Sequence, residues 1–359
     1  MNGCRHLTRR DVIRTALAGG ALAALRPNLA LARAALAAPG VQKAPSRLAL
    51  TTGPDHAQII YQSLVHIKDD VARAIGDRPV VIKPNFVATD RLLAATPPES
   101  IEGILEFLKS IGKLRNVVIA ESAANGPTFE GFSNYGYSPV AQKYGAKLVD
   151  LDQAELGEVR VIDQKDFRPH AVRVAKLLLD RSVFVISAAK MKTHDRVLAT
   201  LSLKNIVVGA PIKDAGFRWG GSSKPGARCD KPLIHGNGFH GLQYNLYALA
   251  PKLRPDLAVI DGFEAMEGNG PVGGTPVAHR VAVSSLDWLA ADRVAVALMG
   301  IDIKKMGYLN YCAAAGLGEI DMARMEILGE RVADHVRTYK MADNIDQQLQ
   351  WMKPLAEEG

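Results

Sequence analysis

Val183-Phe184-Val185-Ile186-Ser187-Ala188-Ala189-Lys190-Met191-Lys192-Thr193-His194 is the stretch on which the reading of this chain turns. Its first four residues form a short apolar run, three of them β-branched, as in a strand covered on both faces. Lysine is among the residues least often buried, so packing does not explain Lys190, Lys192 and His194 just past such a run. With Lys204 and Asn205 downstream, they predict a place where an anion, or a group of acidic side chains, is held.

The pattern repeats on either side. Apolar runs at 48–52, 79–82, 116–120, 147–151, 257–260 and 280–283 read as further strands. Ile60, Leu64, Ile67, Val71 and Ile75 keep helical spacing and predict a helix over 59–75. Pro98 opens another, with Ile101, Ile104, Leu105 and Leu108 on one face. Helices are also predicted at 139–144, 200–208 and 287–299, and a hairpin or edge pair between 159 and 174. Strands alternating with helices predict an α/β fold, a mostly parallel sheet with helices on both faces. The segment 209–241, rich in Gly, Pro and Lys, reads as a long irregular loop insertion. The chain from 304 reads as helical, with a polar helical tail at 331–359.

Composition narrows the partners. The formal charge of the 359 residues is +7, but six arginines against one aspartate give the first 37 residues +5 and leave +2 for the rest. Binding to nucleic acid through a basic surface is therefore not expected. Thr8-Arg9-Arg10-Asp11-Val12-Ile13-Arg14 resembles a twin-arginine motif. A weakly apolar stretch over 15–25 and small-residue cleavage patterns such as Ala35-Leu36-Ala37 follow it. Residues 1–37 are thus expected to be a signal peptide handed to the twin-arginine translocase. The mature protein would then be periplasmic or otherwise exported, without a stable membrane span after cleavage. Cys229 and Cys312 would remain, and with no Cys-x-x-Cys an iron–sulfur cluster is not expected in this chain.

Polar residues gather just past the carboxyl ends of the predicted strands: Lys83-Pro84-Asn85, Glu121-Ser122, Lys190 to His194, and Asp261. In an open parallel sheet this edge receives ligands. Lys83, Asn85, Lys190, Lys204, Asn205 and His235 are the candidate substrate-binding residues, with Lys192, His194 and Glu267 as candidate catalytic groups. Cations would position an anion and stabilise developing negative charge, while His194 or a carboxylate would move a proton. Alternatively Asp261 and Glu267 would hold a divalent metal. Cys229, His235 and His240 match no standard zinc spacing. The familiar dinucleotide, phosphate-loop, zinc-protease and nucleophile-elbow motifs are absent from the sequence.

Five stretches also resemble the domain of unknown function 362 family. They are Val81-Ile82-Lys83-Pro84-Asn85, Lys190-Met191-Lys192-Thr193-His194, Leu201-Ser202-Leu203-Lys204-Asn205, the run from Asp261 to Pro271, and Ser285-Leu286-Asp287 with Ala291-Asp292. Gly316-Leu317-Gly318 extends the likeness, which covers about 48–330 as a single α/β domain. Ala189 stands where the family commonly has proline. The resemblance implies no settled activity; some members look like carriers of an appended iron–sulfur ferredoxin module, and since this sequence has no such cysteine cluster, a cluster is not carried over to it. The expectation is an exported enzyme for a small carboxylated or phosphorylated substrate, using acid–base or metal-assisted chemistry. The alternative is a non-catalytic periplasmic metal- or cofactor-binding protein, a partner of a redox system.

Overall fold

The computed structural model describes residues 44–219 and 223–354, so the expected signal at 1–37 lies outside the described residues. From Ser46 onward the described residues form one compact unit. β1 (Ser46–Thr52), α1 (His56–Val65) and α2 (Lys68–Ile75) lead into β2 (Val80–Lys83), α3 (Pro98–Ser110) and β3 (Val118–Glu121). α4 (Thr128–Asn134), α5 (Tyr137–Tyr144) and β4 (Lys147–Asp150) precede the pair β5 (Leu156–Ile162) and β6 (Pro169–Ala175). β7 (Phe184–His194), β8 (Leu198–Thr200) and α6 (Ser202–Gly209) come next. α7 (Phe239–Leu249), β9 (Leu257–Glu267), β10 (Thr275–Val277), β11 (Val281–Ser285) and α8 (Trp288–Leu298) follow. α9 (Gly307–Ala314), β12 (Met325–Gly329) and α10 (Ile345–Gln348) close the described chain.

The main sheet runs β12-β1-β11-β9-β7-β2-β3-β4, with β8 beside β7 and β10 beside β9. The run β9-β7-β2-β3-β4 is parallel throughout, whereas β11 is antiparallel to both neighbours. The fold is the expected mixed α/β arrangement with a mostly parallel sheet. Strand period divides the apolar side chains between two cores. Phe184 and Ile186 of β7 pack with Ile60, Ile104 and Tyr137 beneath α1, α3 and α5. Val185 and Met191 pack on the opposite face with Ile206, Leu246, Val294 and Leu309 beneath α6 to α9. β5 and β6 pair antiparallel as a separate two-stranded sheet, as their alternating valines predicted.

Several boundaries differ from those read in the sequence. The helix over 59–75 is two helices, because Ile67 leaves helical geometry (φ −119°, ψ 20°) although the apolar spacing runs on through it. β7 does not end at Ile186 or Ser187. It continues to His194, buried along its whole length, because β9 and the hairpin partner β8 supply ladder bonds to the polar half. Asp261 likewise lies inside β9 rather than at a strand end, since β11 pairs with that stretch. The chain after 304 is not helical throughout: β12 pairs parallel with the edge of β1. Beyond 331 short helical turns alternate with extended chain, and Tyr339 and Gln348 are buried against the unit. Cys229 and Cys312 are both free thiols. Among the described residues no helix is long and apolar enough to cross a membrane.

Candidate functional site

The carboxyl ends of β2, β3 and β7 open on a cleft of about 1270 Å³. Its inner wall begins with Lys83, the last residue of a four-residue strand buried from end to end. The Lys83 ammonium donates to Glu121 Oε1 at 2.8 Å, Pro84 O at 2.9 Å and Asn205 Oδ1 at 3.3 Å. Glu121 ends β3 and also accepts from the backbone N–H groups of Ser122 (2.7 Å) and Phe86 (3.0 Å). Burial lowers the affinity of Lys83 for its proton, and the adjacent Glu121 carboxylate opposes that shift. α6 passes close by: a Cβ on Gly209 would lie 2.4 Å from the Lys83 nitrogen, so this approach depends on the missing side chain.

The first turn of α6 carries the next two groups. Its amino terminus is tied down by Asp292 of α8, which accepts from Ser202 N at 2.8 Å and Leu203 N at 3.2 Å. Asn205 donates to Lys83 O at 3.1 Å and Ser187 Oγ at 3.0 Å, which fixes which way its amide points. Its Oδ1 then accepts from Asn85 Nδ2 at 3.0 Å, leaving Asn85 Oδ1 buried with no hydrogen-bond partner. Thr200 Oγ1, at the end of β8, is also buried and unpartnered. Lys204 is 5 % exposed and its ammonium has no hydrogen-bond partner among the described residues. Burial pushes its pKa down to about 8, against a weak opposing pull from the charge of Asp195. Lys204, Thr200 and Asn85 all line the cleft.

His194 and His235 complete the inner end. His194 Nδ1 accepts the Arg196 backbone N–H at 3.0 Å, which places the proton of a neutral ring on Nε2. The same nitrogen lies 3.2 Å from Asp195 Oδ1, a contact that would be attractive only with a charged ring. Burial, then the charge of Lys204, pushes the His194 pKa far down, so the neutral ring is the one present. Burial and Lys204 also lower the His235 pKa. Lys231 reaches the same space from the irregular segment, donating to Pro211 O at 2.6 Å and Gly209 O at 3.2 Å. Burial pushes its pKa to about 8. The outer walls are mixed, with Arg91, Asp90, Arg196, Phe86, Val87 and Trp219.

Of the residues nominated from sequence, Lys83, Asn85, His194, Lys204, Asn205 and His235 line this one cleft. Lys190, Lys192, Asp261 and Glu267 do not line it. Lys192 is buried within β7 and donates to Ala94 O at 2.6 Å. Burial and the charges of Lys204 and Lys190 push its pKa far down. Lys190 stands opposite Asp261 in the β7–β9 ladder. Asp261 accepts from Ser100 Oγ at 2.6 Å and contacts His56 Nε2 at 3.0 Å, beneath the first turn of α3. Glu267 accepts the Lys340 backbone N–H at 2.9 Å. Asp261 and Glu267 therefore have separate partners, and among the described residues no group of three or more His, Cys, Asp or Glu side chains is arranged to hold a metal ion. His240 contacts Lys353 O at 2.7 Å, away from the cleft. Sequence reasoning missed Lys231, Thr200, Arg91 and Arg196 as lining residues. Glu121 was visible only as one polar strand end among several.

The family model described as Domain of unknown function (DUF362) matches residues 80–297, which include every lining residue of the cleft. A thylakoid-associated protein of Synechocystis sp. is 27 % identical over 229 residues, which is 63 % of this chain. The matched region spans 64 % of that relative, just under two thirds of its length. No solved structure matches the chain. With more than half of its length matched by the family model, the chain belongs to the DUF362 family.

Proposed function

We propose that the cleft binds a small carboxylated or phosphorylated compound and acts on it by acid–base chemistry. The observation that carries this reading is Lys204, 95 % buried, unpaired among the described residues and facing a cleft that also holds two unpartnered oxygens. Native proteins leave few buried polar groups without partners, and here two such oxygens, Asn85 Oδ1 and Thr200 Oγ1, share the cleft with the Lys204 side chain. A bound anion would pair with Lys204 and accept from the Thr200 hydroxyl, while a ligand hydroxyl would donate to Asn85 Oδ1. Neutral His194, with its proton on Nε2, would exchange that proton with the ligand. Lys231 and Lys83 would stabilise negative charge developing nearby. The ligand would need no metal under this reading, which uses the side chains that meet in the cleft.

We further propose export by the twin-arginine route, supported by Arg9-Arg10 and the apolar stretch after it. The thylakoid association of the relative supports a place at or beyond a membrane. Arg9→Lys with Arg10→Lys should trap the precursor in the cytoplasm, and normal export of that variant would remove the claim.

The anion reading is tested by thermal unfolding with inorganic phosphate, pyrophosphate and citrate. A ligand at about 100 times its Kd stabilises the fold by about 2.7 kcal/mol, a rise of several degrees in Tm. At least one of the three should do this for the native protein and fail with Lys204→Met. A native protein indifferent to all three contradicts the reading.

A further inference from the structure

Five lysines crowd the interior behind and along the cleft: Lys83, Lys190, Lys192, Lys204 and Lys231, each no more than 5 % exposed. The acids among them are already engaged. Glu121 pairs with Lys83, and Asp261 is bound by His56 and Ser100. Lys192 has a backbone carbonyl as its partner and Lys204 has none among the described residues. Of the five, Lys83, Lys204 and Lys231 line the cleft; Lys83 is held by three acceptors and Lys231 by two backbone carbonyls. Lys204 is thus the amine left free to react, in buried surroundings that favour its neutral form against the weak opposing charge of Asp195.

We propose that Lys204 is a nucleophile, forming an imine with the carbonyl carbon of a small oxo-acid bound in the cleft. This rests on the anion reading and assigns the substrate class within it. The amine lone pair forms a C–N bond with the carbonyl carbon while the C=O π pair moves onto oxygen. That oxygen takes a proton and gives a carbinolamine. The C–O bond then breaks, the oxygen leaves as water with a second proton, and the nitrogen, having lost its protons, keeps a double bond to carbon. No oxidant or reductant is consumed. Both protons lost by the nitrogen end on the departing oxygen, and His194 is placed to donate a hydrogen bond from Nε2 to that oxygen as negative charge develops on it. His194 lines the same cleft, its ring is neutral with the proton on Nε2, and Lys204 is the cation that acts on it most strongly. With Lys204 bonded to the carbonyl carbon, the carboxylate that the anion reading pairs with its ammonium would pair instead with Lys231 or Arg196, which line the same cleft. Buried Lys192 could play no such part, since it does not line the cleft.

The test is reductive trapping of the full-length chain with glyoxylate and sodium cyanoborohydride at pH 7, read by peptide mass spectrometry as carboxymethyl-lysine. With a pKa of about 8, roughly a tenth of Lys204 is neutral at pH 7, against well under a thousandth of an ordinary lysine. That advantage is on the order of 100-fold, and weaker basicity gives back about tenfold. Lys204 should therefore be modified about tenfold faster than exposed Lys165, Lys224 and Lys304, and less in the presence of phosphate. Adducts spread over the exposed lysines with Lys204 unmodified would overturn the proposal. If phosphate, pyrophosphate or citrate still raises Tm in that case, the anion reading stands and the imine alone falls. If none of them does, both fall.

Discussion

Lys83 and Glu121 meet at 2.8 Å with both side chains 1 % exposed, joining the ends of two parallel strands beneath the cleft. Glu121 has two backbone donors besides Lys83, whereas Lys83 has only neutral oxygens besides Glu121. Removing the acid should therefore hurt more than removing the base. Glu121→Ala strands a buried ammonium and should cost about 3–5 kcal/mol in denaturant unfolding. Lys83→Met should cost less, because the carboxylate keeps two N–H partners. Equal costs for the two variants would contradict this account of the pair.

Lys204 should behave in the opposite sense. An unpaired, desolvated cation is retained at the expense of stability when binding needs it. Lys204→Met should raise unfolding free energy by about 1–3 kcal/mol while anion binding falls at least tenfold. A destabilised variant that binds normally would show a structural role for this side chain.

Asp292 positions rather than binds. It is fully buried, and by accepting from Ser202 and Leu203 it anchors the turn that carries Lys204 and Asn205. Asp292→Ala should cost about 1–3 kcal/mol and weaken anion binding. Asp292→Asn, which keeps one acceptor oxygen, should recover part of both. Thermal unfolding and phosphate binding on the same samples check this.

Asp261 carries an acid-sensitive part of the stability. Burial alone would raise its pKa, but the contacts with His56 and Ser100 and the charge of Lys190 hold it down to about 2, from an ordinary 3.8. A depressed carboxylate contributes stability above its unfolded pKa and loses it as pH falls towards its folded pKa. The loss should amount to about 2.5 kcal/mol between roughly pH 5 and pH 1, about 1.8 kcal/mol of it between pH 4 and pH 2. Unfolding free energy measured across that window should fall less steeply in Asp261→Asn.

The sheet was legible because buried parallel strands leave continuous apolar runs, such as Val81-Ile82 and Val183 to Ile186, separated by helical spacing. Strand ends were not. Whether β7 stops at Ile186 or continues through Lys192 depends on β8 and β9 lying beside it, which local sequence does not reveal. Asp261 was placed at the sheet edge for the same reason, and β11 brings it inside. Lys83, His194 and Lys204 could be named because a lysine or histidine beside a buried strand lacks a packing role. Lys231 and Thr200 could not, since one sits in an irregular segment and the other in a three-residue strand without alternation. The break at Ile67 leaves the apolar period intact and so left no trace in the sequence.

The most direct measurement is an NMR titration of the Lys204 side chain, with isotope-labelled lysine and Lys204→Met for assignment, in the absence and presence of inorganic phosphate. The account predicts a pKa of about 8 for the free protein, rising when phosphate pairs with the ammonium. A Lys204 that titrates near the ordinary value of about 10.4 and does not respond to phosphate would contradict it.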